Sequence, residues 1–194
     1  MQVSAQRDAA NWYFGSFAGL DFNSGTPVAI DDGALDTTEG CSAISNKDTG
    51  DILFYTEGTT VWNRNNQVML NGTDLLGSLS STQSAVIVPL PGSSTLFYII
   101  TTDEVQAYQN NGMGNGINYS VVSMAGDNGL GEVIEKNTNL LIEGSEKISV
   151  VETADGINYW IVTHFEDTFY SYLLDASGIS NTPVISTVGP NIND

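Results

Sequence analysis

A single histidine and a single cysteine set the limits of the chemistry open to this chain. His164 follows the apolar run Trp160–Thr163 and could act as a general base, but no Ser or Cys nucleophile pattern surrounds it. A structural or pore-lining role is the simpler reading. Cys41 has no positive neighbour to lower its pKa, so it reads as a small buried thiol rather than a nucleophile. One cysteine forms no internal disulfide, and a structural zinc site needs about four Cys or His ligands, more than the chain offers. Oxygen ligands are plentiful. Asn46-Lys47-Asp48-Thr49-Gly50-Asp51 places them at alternating positions, as calcium loops do. The closing bidentate Glu is missing and Lys47 sits among the ligands, so a hairpin turn fits the same residues and both readings stay open. Asp31, Asp32, Asp36 and Glu39 form a second acidic group, read as a solvated loop. Hydrolysis of a glycosidic bond needs two carboxyl groups about 5–10 Å apart across a cleft; among 23 Asp and Glu no such pair stands out. Arg64, one of five cations, could anchor a carboxylate or cap one face of the fold. Trp62 and Trp160 could stack on sugars, but their repeated positions assign them to the core. Phosphate-loop, dinucleotide and zinc-protease patterns are absent. No catalytic, cofactor-binding or metal-ligating residue is therefore assigned, and the chain is expected not to be an enzyme.

The 194 residues carry 5 Lys and Arg against 23 Asp and Glu, a formal net charge of −18. Neutralising phosphates takes clustered Lys and Arg, so nucleic acid is not an expected partner, and a polybasic membrane patch is excluded for the same reason. No run approaches the roughly 18 apolar residues of a membrane span. With 41% hydrophobic residues the chain can bury a core despite its charge. Met1–Gln6 lacks the basic start and apolar stretch of a signal peptide, and the residues leave open whether a leader has been removed.

The elements that must position these residues read as β throughout. Short runs of Val, Ile, Phe, Tyr and Trp alternate with clusters of Gly, Asn, Asp, Ser and Pro. The expected strands are Trp12–Phe14, Ala43–Ser45, Ile52–Thr56, Thr60–Trp62, Ala85–Pro89, Leu96–Thr101, Asn118–Ser123, Ile148–Glu152, Asn158–Thr163 and Phe169–Leu174. No helix is convincing; Asp103–Gln109 has room for about a turn.

The strands repeat as a strand, a tight turn, and a second strand carrying an aromatic doublet: Phe54-Tyr55, then Phe97-Tyr98, then Tyr159-Trp160. A third strand follows each copy, at Val61-Trp62, Tyr119–Val122 and Phe169–Leu173. An outer element containing Thr-Pro-Val appears at 26–28 and again at 182–184. Proline is tolerated at a sheet edge, where its missing N–H costs nothing. Four-stranded units at roughly forty-residue spacing are the mark of propeller blades, whose faces are buried only by stacking on one another. The expectation is an all-β, propeller-like fold of about three four-stranded blades: residues 1–38 as N-terminal outer strands sealing the arrangement, 39–80 as blade one, 81–143 as blade two with an inserted loop at 103–116, and 144–194 as blade three. A β-sandwich is the alternative. Three blades are too few to close a ring, so the chain looks like half a propeller whose open edges would pair with other chains.

Asn11-Trp12-Tyr13-Phe14-Gly15 and Ala18–Phe22 resemble the N-terminal region of large secreted proteins of Bacteroidetes, many of which end in a gliding-motility-associated or type B type IX secretion sorting domain. Further matches are Glu39-Gly40-Cys41, Leu53–Thr56, Val61–Arg64, Ser81–Ser84, Pro91–Ser94, Asn118–Ser120, Glu146-Lys147 and Val162–His164. The resemblance implies a propeller-like module, extracellular or on the cell surface, in proteins of adhesion or gliding. It supplies no catalytic residues, and export by the type IX route is implied for a parent protein.

These readings combine into an expected role in adhesion, recognition or scaffolding, with a glycan or protein as partner. Two alternatives remain: a structural subunit that assembles through open blade edges, and a propeller hydrolase acting on glycans.

Overall fold

The computed structural model describes residues 7–104 and 114–191. Among them the chain is all-β. Fifteen short strands form four antiparallel sheets, and the only helical elements are single 3-10 turns at Arg7–Ala9 and Asp127–Gly129. Sheet 1 holds β1 (Asn11–Phe14), β2 (Ala18–Asp21) and β3 (Val28–Ile30). Sheet 2 holds β4 (Ser42–Ser45), β5 (Ile52–Thr56) and β6 (Val61–Asn63). Sheet 3 holds β7 (Ala85–Pro89), β8 (Leu96–Thr102), β9 (Ile117–Ser123) and β10 (Glu132–Leu141). Sheet 4 holds β11 (Ile148–Glu152), β12 (Tyr159–Phe165) and β13 (Thr168–Asp175), with β14 (Gly178–Ile179) and β15 (Val184–Thr187) both paired to β13. Within every sheet each strand is antiparallel to its hydrogen-bonded neighbours, and β1 to β14 follow chain order.

Packing follows from side-chain alternation. Successive side chains of a strand point to opposite faces, so an aromatic doublet supplies one ring to each side of its sheet. Phe54 faces sheet 3 and meets Phe97 edge-on at 5.6 Å and 81°. Its neighbour Tyr55 faces sheet 1 and stacks on Tyr13 at 4.1 Å and 7°. Phe97 faces sheet 2, whereas Tyr98 joins the cluster between sheets 3 and 4. Val88, Ile100 and Ile117 of sheet 3 are buried there with Ile148, Ile161 and Leu174 of sheet 4. Three clusters thus join consecutive sheets, and the first strands β1, β4, β7 and β11 are neighbours in turn.

The structure corrects four expectations. Trp160 is not between sheets: Tyr159 takes the covered side of sheet 4, and alternation turns Trp160 to the other face. Residues 11–30 do not add outer strands to another sheet. Gly15 (φ 58) and Phe17 (φ 60) bend β1 tightly back onto β2, and the segment pairs with itself as sheet 1. The sheets contain three, three, four and five strands rather than a uniform four. The fourth strand of sheet 3, β10, was not expected. Its polar run lacks alternation, and its register shifts repeatedly around Asn137 (φ 60). That bulge sends the Asn137 side chain across to the segment 74–76 that follows sheet 2, where Oδ1 accepts from Leu76 N at 3.1 Å and Nδ2 donates to Asp74 O at 2.8 Å.

The expected helical turn at Asp103–Gln109 and the inserted loop 103–116 fall largely on residues 105–113, outside the described residues. Their flanks are joined: Asn115 N donates to Asp103 Oδ2 at 2.7 Å.

Candidate functional site

The two ends of the first strands differ. At the ends where β4, β7 and β11 begin, hydroxyl and carboxyl groups cross-link the sheets. Gly40 N donates to Ser81 O at 3.1 Å. The Ser81 and Thr102 hydroxyls share a hydrogen bond of 2.7 Å, and Thr102 Oγ1 donates to Gln83 O. Gln83 Oε1 accepts from Ile148 N at 2.9 Å, and Glu146 Oε2 accepts from Thr82 N at 2.9 Å, tying sheet 3 to sheet 4. Ser84 Oγ donates to Glu57 O, tying sheet 3 to sheet 2. The motifs Glu39-Gly40-Cys41, Ser81–Ser84 and Glu146-Lys147, far apart in sequence, therefore form one cross-sheet clamp. Gly40 is required at its centre, because a Cβ there would press against Ser81 O at 2.8 Å and the Ser84 backbone.

Glu57 lies inside this clamp, 2% exposed. Its Oε1 accepts from Thr59 Oγ1 and Thr60 N, while Oε2 is buried without a hydrogen-bond partner. Burial raises its carboxyl above the usual range, against the lowering effect of the Thr59 hydroxyl and nearby backbone N–H groups.

The opposite ends of the same strands are not clamped. β4, β7 and β11 finish at Ser45, Pro89 and Glu152 around a groove of about 490 Å³. Phe97, Tyr159 and Leu53 supply its apolar wall; Asn46 and Ser93, with Arg7 and Lys47, supply its polar rim. The turns that frame it are held by side-chain oxygens. Asn46 Oδ1 accepts from Asp48 N and Thr49 N at 2.9 and 3.1 Å, and Thr49 Oγ1 donates to Asp51 Oδ2 at 2.7 Å. Ser93 Oγ accepts from Thr95 N and Leu96 N in the next turn, and Asp155 Oδ1 accepts from Ile157 N in the third. Such Asx and Ser/Thr turns fix a hairpin without a metal. Burial first, then the charges of Glu152 and Asp8, push the Tyr159 phenol up, so its hydroxyl keeps its proton at neutral pH and can donate into the groove. Lys47 pairs with Asp48 at 2.8 Å on a fully solvated rim, a contact worth about 0–1 kcal/mol.

A second cavity of about 520 Å³ adjoins the first and shares Asn46 and Leu53 with it. Arg64 lines it together with Asp21 and Asp51. Beneath it, the Asn11 and Asn23 side-chain amides both donate to Gly50 O, at 2.6 and 3.1 Å, locking the 46–51 turn onto sheet 1.

The other residues singled out in the sequence are dispersed. His164 lies on the uncovered face of sheet 4 with its ring 5.5 Å from Phe169; its Nδ1 is buried without a partner and it lines neither cavity. Cys41 packs between sheets 1 and 2, where burial pushes its thiol up and so disfavours the thiolate. Trp62 stacks on Tyr55 in the same cluster at 5.6 Å. Asp36 accepts from Ser16 Oγ at 2.7 Å. Asp32, after burial itself, helps hold Tyr13 up at about 12. Among the described residues no three His, Cys, Asp or Glu side chains converge as metal ligands.

Arg7, Asp8 and Glu57 were not singled out by the sequence. Thr56-Glu57-Gly58-Thr59 reads as an ordinary turn, and Arg7-Asp8 precedes the first strand with no pattern around it. Comparisons with protein-family models, curated proteins and solved structures find no match.

Proposed function

We propose that the chain is a non-enzymatic recognition module of propeller-like architecture, acting outside the cell or at its surface, and that it binds a polysaccharide in the groove at the turn ends of β4, β7 and β11. The observation that carries the reading is the contrast between the two ends of the stack. One end is closed by hydrogen bonds across the sheets, and the other leaves a groove of about 490 Å³ whose aromatic wall faces a polar rim. Sugar rings present apolar C–H faces and many hydroxyls, which that wall and rim suit. The groove mixes the cations Arg7 and Lys47 with Asp8, Asp48 and Glu152, so it favours a neutral, hydroxyl-rich ligand over a strongly charged one.

The propeller-like reading is supported by the succession of small meander sheets and by the adjacency of their first strands, the arrangement of strands around a propeller axis. The extracellular placement rests on the motif resemblance, as does export of a parent protein by the type IX route. Against the hydrolase alternative stands the position of Glu57. This carboxyl is held above its usual range, as a general acid is, but it sits in the clamp and lines neither cavity.

The test is a glycan array probed with the whole chain beside a peptide and protein array, followed by Tyr159→Ala and Arg7→Ala. Glycan binding lost on both substitutions, with circular dichroism showing both variants still folded, is the expected result. Binding confined to the protein array would move the ligand class, and no binding on either array would remove the reading.

A further inference from the structure

The outer faces of the two end sheets carry an inference beyond ligand binding in the groove. At four ladder positions the uncovered face of sheet 4 matches the covered face of sheet 3. In sheet 3, Val88 pairs with Tyr98 across β7 and β8, and Ile100 and Ile117 lie on the same face. In sheet 4, the same ladder positions hold Val151, Trp160, Val162 and Phe169. Sheet 4 covers the first set, leaving Val88, Ile100 and Ile117 0–1% exposed. No sheet of the described residues covers the second: Val151 is 50% exposed and Phe169 38%, with Trp160 and Val162 half-buried. Those four positions differ mainly in having a neighbour, while Ser149, Ser171 and His164 stand where sheet 3 has Val86, Tyr119 and Thr102.

At the other end, alternation in β1 sends Tyr13 inward to Tyr55 and turns Trp12 and Phe14 outward, 50% and 38% exposed. Trp12 lies in a cross-strand row with Leu20 and Ala29, the counterpart of the row Ala43–Tyr55–Trp62 that sheet 2 turns toward sheet 1. Each end therefore presents one half of the interface that already joins the sheets inside the chain.

Charge separates this from accidental exposure. The chain has 23 acidic residues and a net charge of −18. Even so, apart from Asp175 at the end of β13, the outward positions 149, 151, 160, 162, 164, 169, 171 and 173 of β11–β13 carry only Ser, Val, Trp, His, Phe and Leu. The outward side chains of β1–β3 are likewise Trp, Phe, Ala and Leu. A solvated sheet face in so acidic a protein would carry several carboxylates, and a face meant for another copy keeps them few and at its edge, since like charges across a contact repel.

We propose that a second copy of this chain covers the outer face of sheet 4 with the outer face of its own sheet 1, so that copies stack head to tail and extend the succession of sheets from one molecule to the next. The contact joins two different surfaces. It is therefore heterologous, and it closes into a ring or grows as a filament according to the rotation between copies. Trp12 and Trp160 are its anchors, as aromatic side chains dominate the energetics of buried contacts.

The proposal is tested on the whole chain by sedimentation velocity and multi-angle light scattering over a concentration series into the millimolar range. The wild-type mass should rise with concentration beyond that of one chain. Trp160→Glu and Trp12→Glu should each hold the protein at the mass of one chain, with Phe169→Lys as a second variant of the sheet 4 face. Circular dichroism should show an unchanged fold for all three, because Trp12 and Phe169 are exposed and Trp160, half-buried, lies on the outer face of sheet 4. An equimolar mixture of the Trp160→Glu and Trp12→Glu proteins should form a species of two chains and no larger, since each variant keeps the face the other lacks. A wild-type protein that stays a single chain throughout overturns the proposal. So does association that both variants leave intact, or a mixture that remains monomeric while the wild type associates. Tyr159→Ala in the groove should leave the mass distribution as it is, which separates this test from that of ligand binding.

Discussion

Replacing Phe54 with alanine measures how much of the stability resides between sheets. Phe54 is fully buried and Phe97 is 7% exposed, and their rings meet edge to face between sheets 2 and 3. Truncating a buried phenylalanine costs about 3–5 kcal/mol through lost transfer energy and the cavity left behind. In a chain of this length each kcal/mol lowers the melting midpoint by about 2–4 °C, so Phe54→Ala should lower it by about 6–20 °C. The edge-to-face pair adds a coupling of about 0.5–1.5 kcal/mol beyond area burial. A cycle of Phe54→Ala, Phe97→Ala and the double variant, measured by urea unfolding, should recover that coupling as non-additivity of the same size. Trp160→Ala is the control. It removes a larger side chain, but from an uncovered face, and should cost less than half as much when measured dilute enough to keep single chains apart. If Trp160→Ala matches Phe54→Ala, or if the cycle closes with no coupling, the sheets are not held by face-to-face burial as described.

Three further outcomes follow from the clamp and the turns. Burial raises the folded-state pKa of Glu57 above its unfolded value, so its contribution to stability is full in acid and is lost as pH rises through the folded pKa; urea midpoints across a pH series should show that decline in the wild type and a flatter profile in Glu57→Gln, and parallel profiles would contradict it. Gly50→Ala places a side chain at φ 82 against the Asn23 amide and should cost at least the roughly 1–2 kcal/mol of a left-handed backbone, read as a lower thermal midpoint. Ser81→Ala leaves the buried Thr102 hydroxyl one partner short, which should cost about 1–3 kcal/mol in denaturant unfolding.

The first two strands of sheets 2 and 3 were legible because burial on both faces makes them continuous apolar runs, and β11, with one face uncovered, because Ile148, Val150 and Val151 still mark it. Ile52–Thr56, Ala85–Pro89 and Ile148–Glu152 are strands with the bounds their composition suggests. Outer strands were harder to read, since an exposed edge needs only to pair. β10 mixes Glu132, Glu135, Lys136 and Asn137 in a bulged register that no period detects. The doublets marked the repeat correctly, but which ring faces which neighbour depends on register, and a shift of one residue exchanges the faces. Sheet 2 aims the first ring of its doublet forward, and sheet 3 aims its first ring back. The groove was not legible. Its lining comes from Arg7, Asn46, Phe97 and Tyr159, spread over most of the chain, and only the packing of three sheets brings them together. The clamp was half legible, as motifs whose common purpose became visible only in contact.

Because among the described residues each hydrophobic cluster joins consecutive sheets only, these sheets are held together link by link, with no central mass of described side chains shared by all four. Melting should therefore start as fraying at the first or last sheet and travel inward, with sheets 2 and 3, flanked on both sides, the last to lose hydrogen-exchange protection. A lesion in one link would weaken its two neighbours and leave the far end of the chain ordered, so partial denaturation is the natural failure of this architecture.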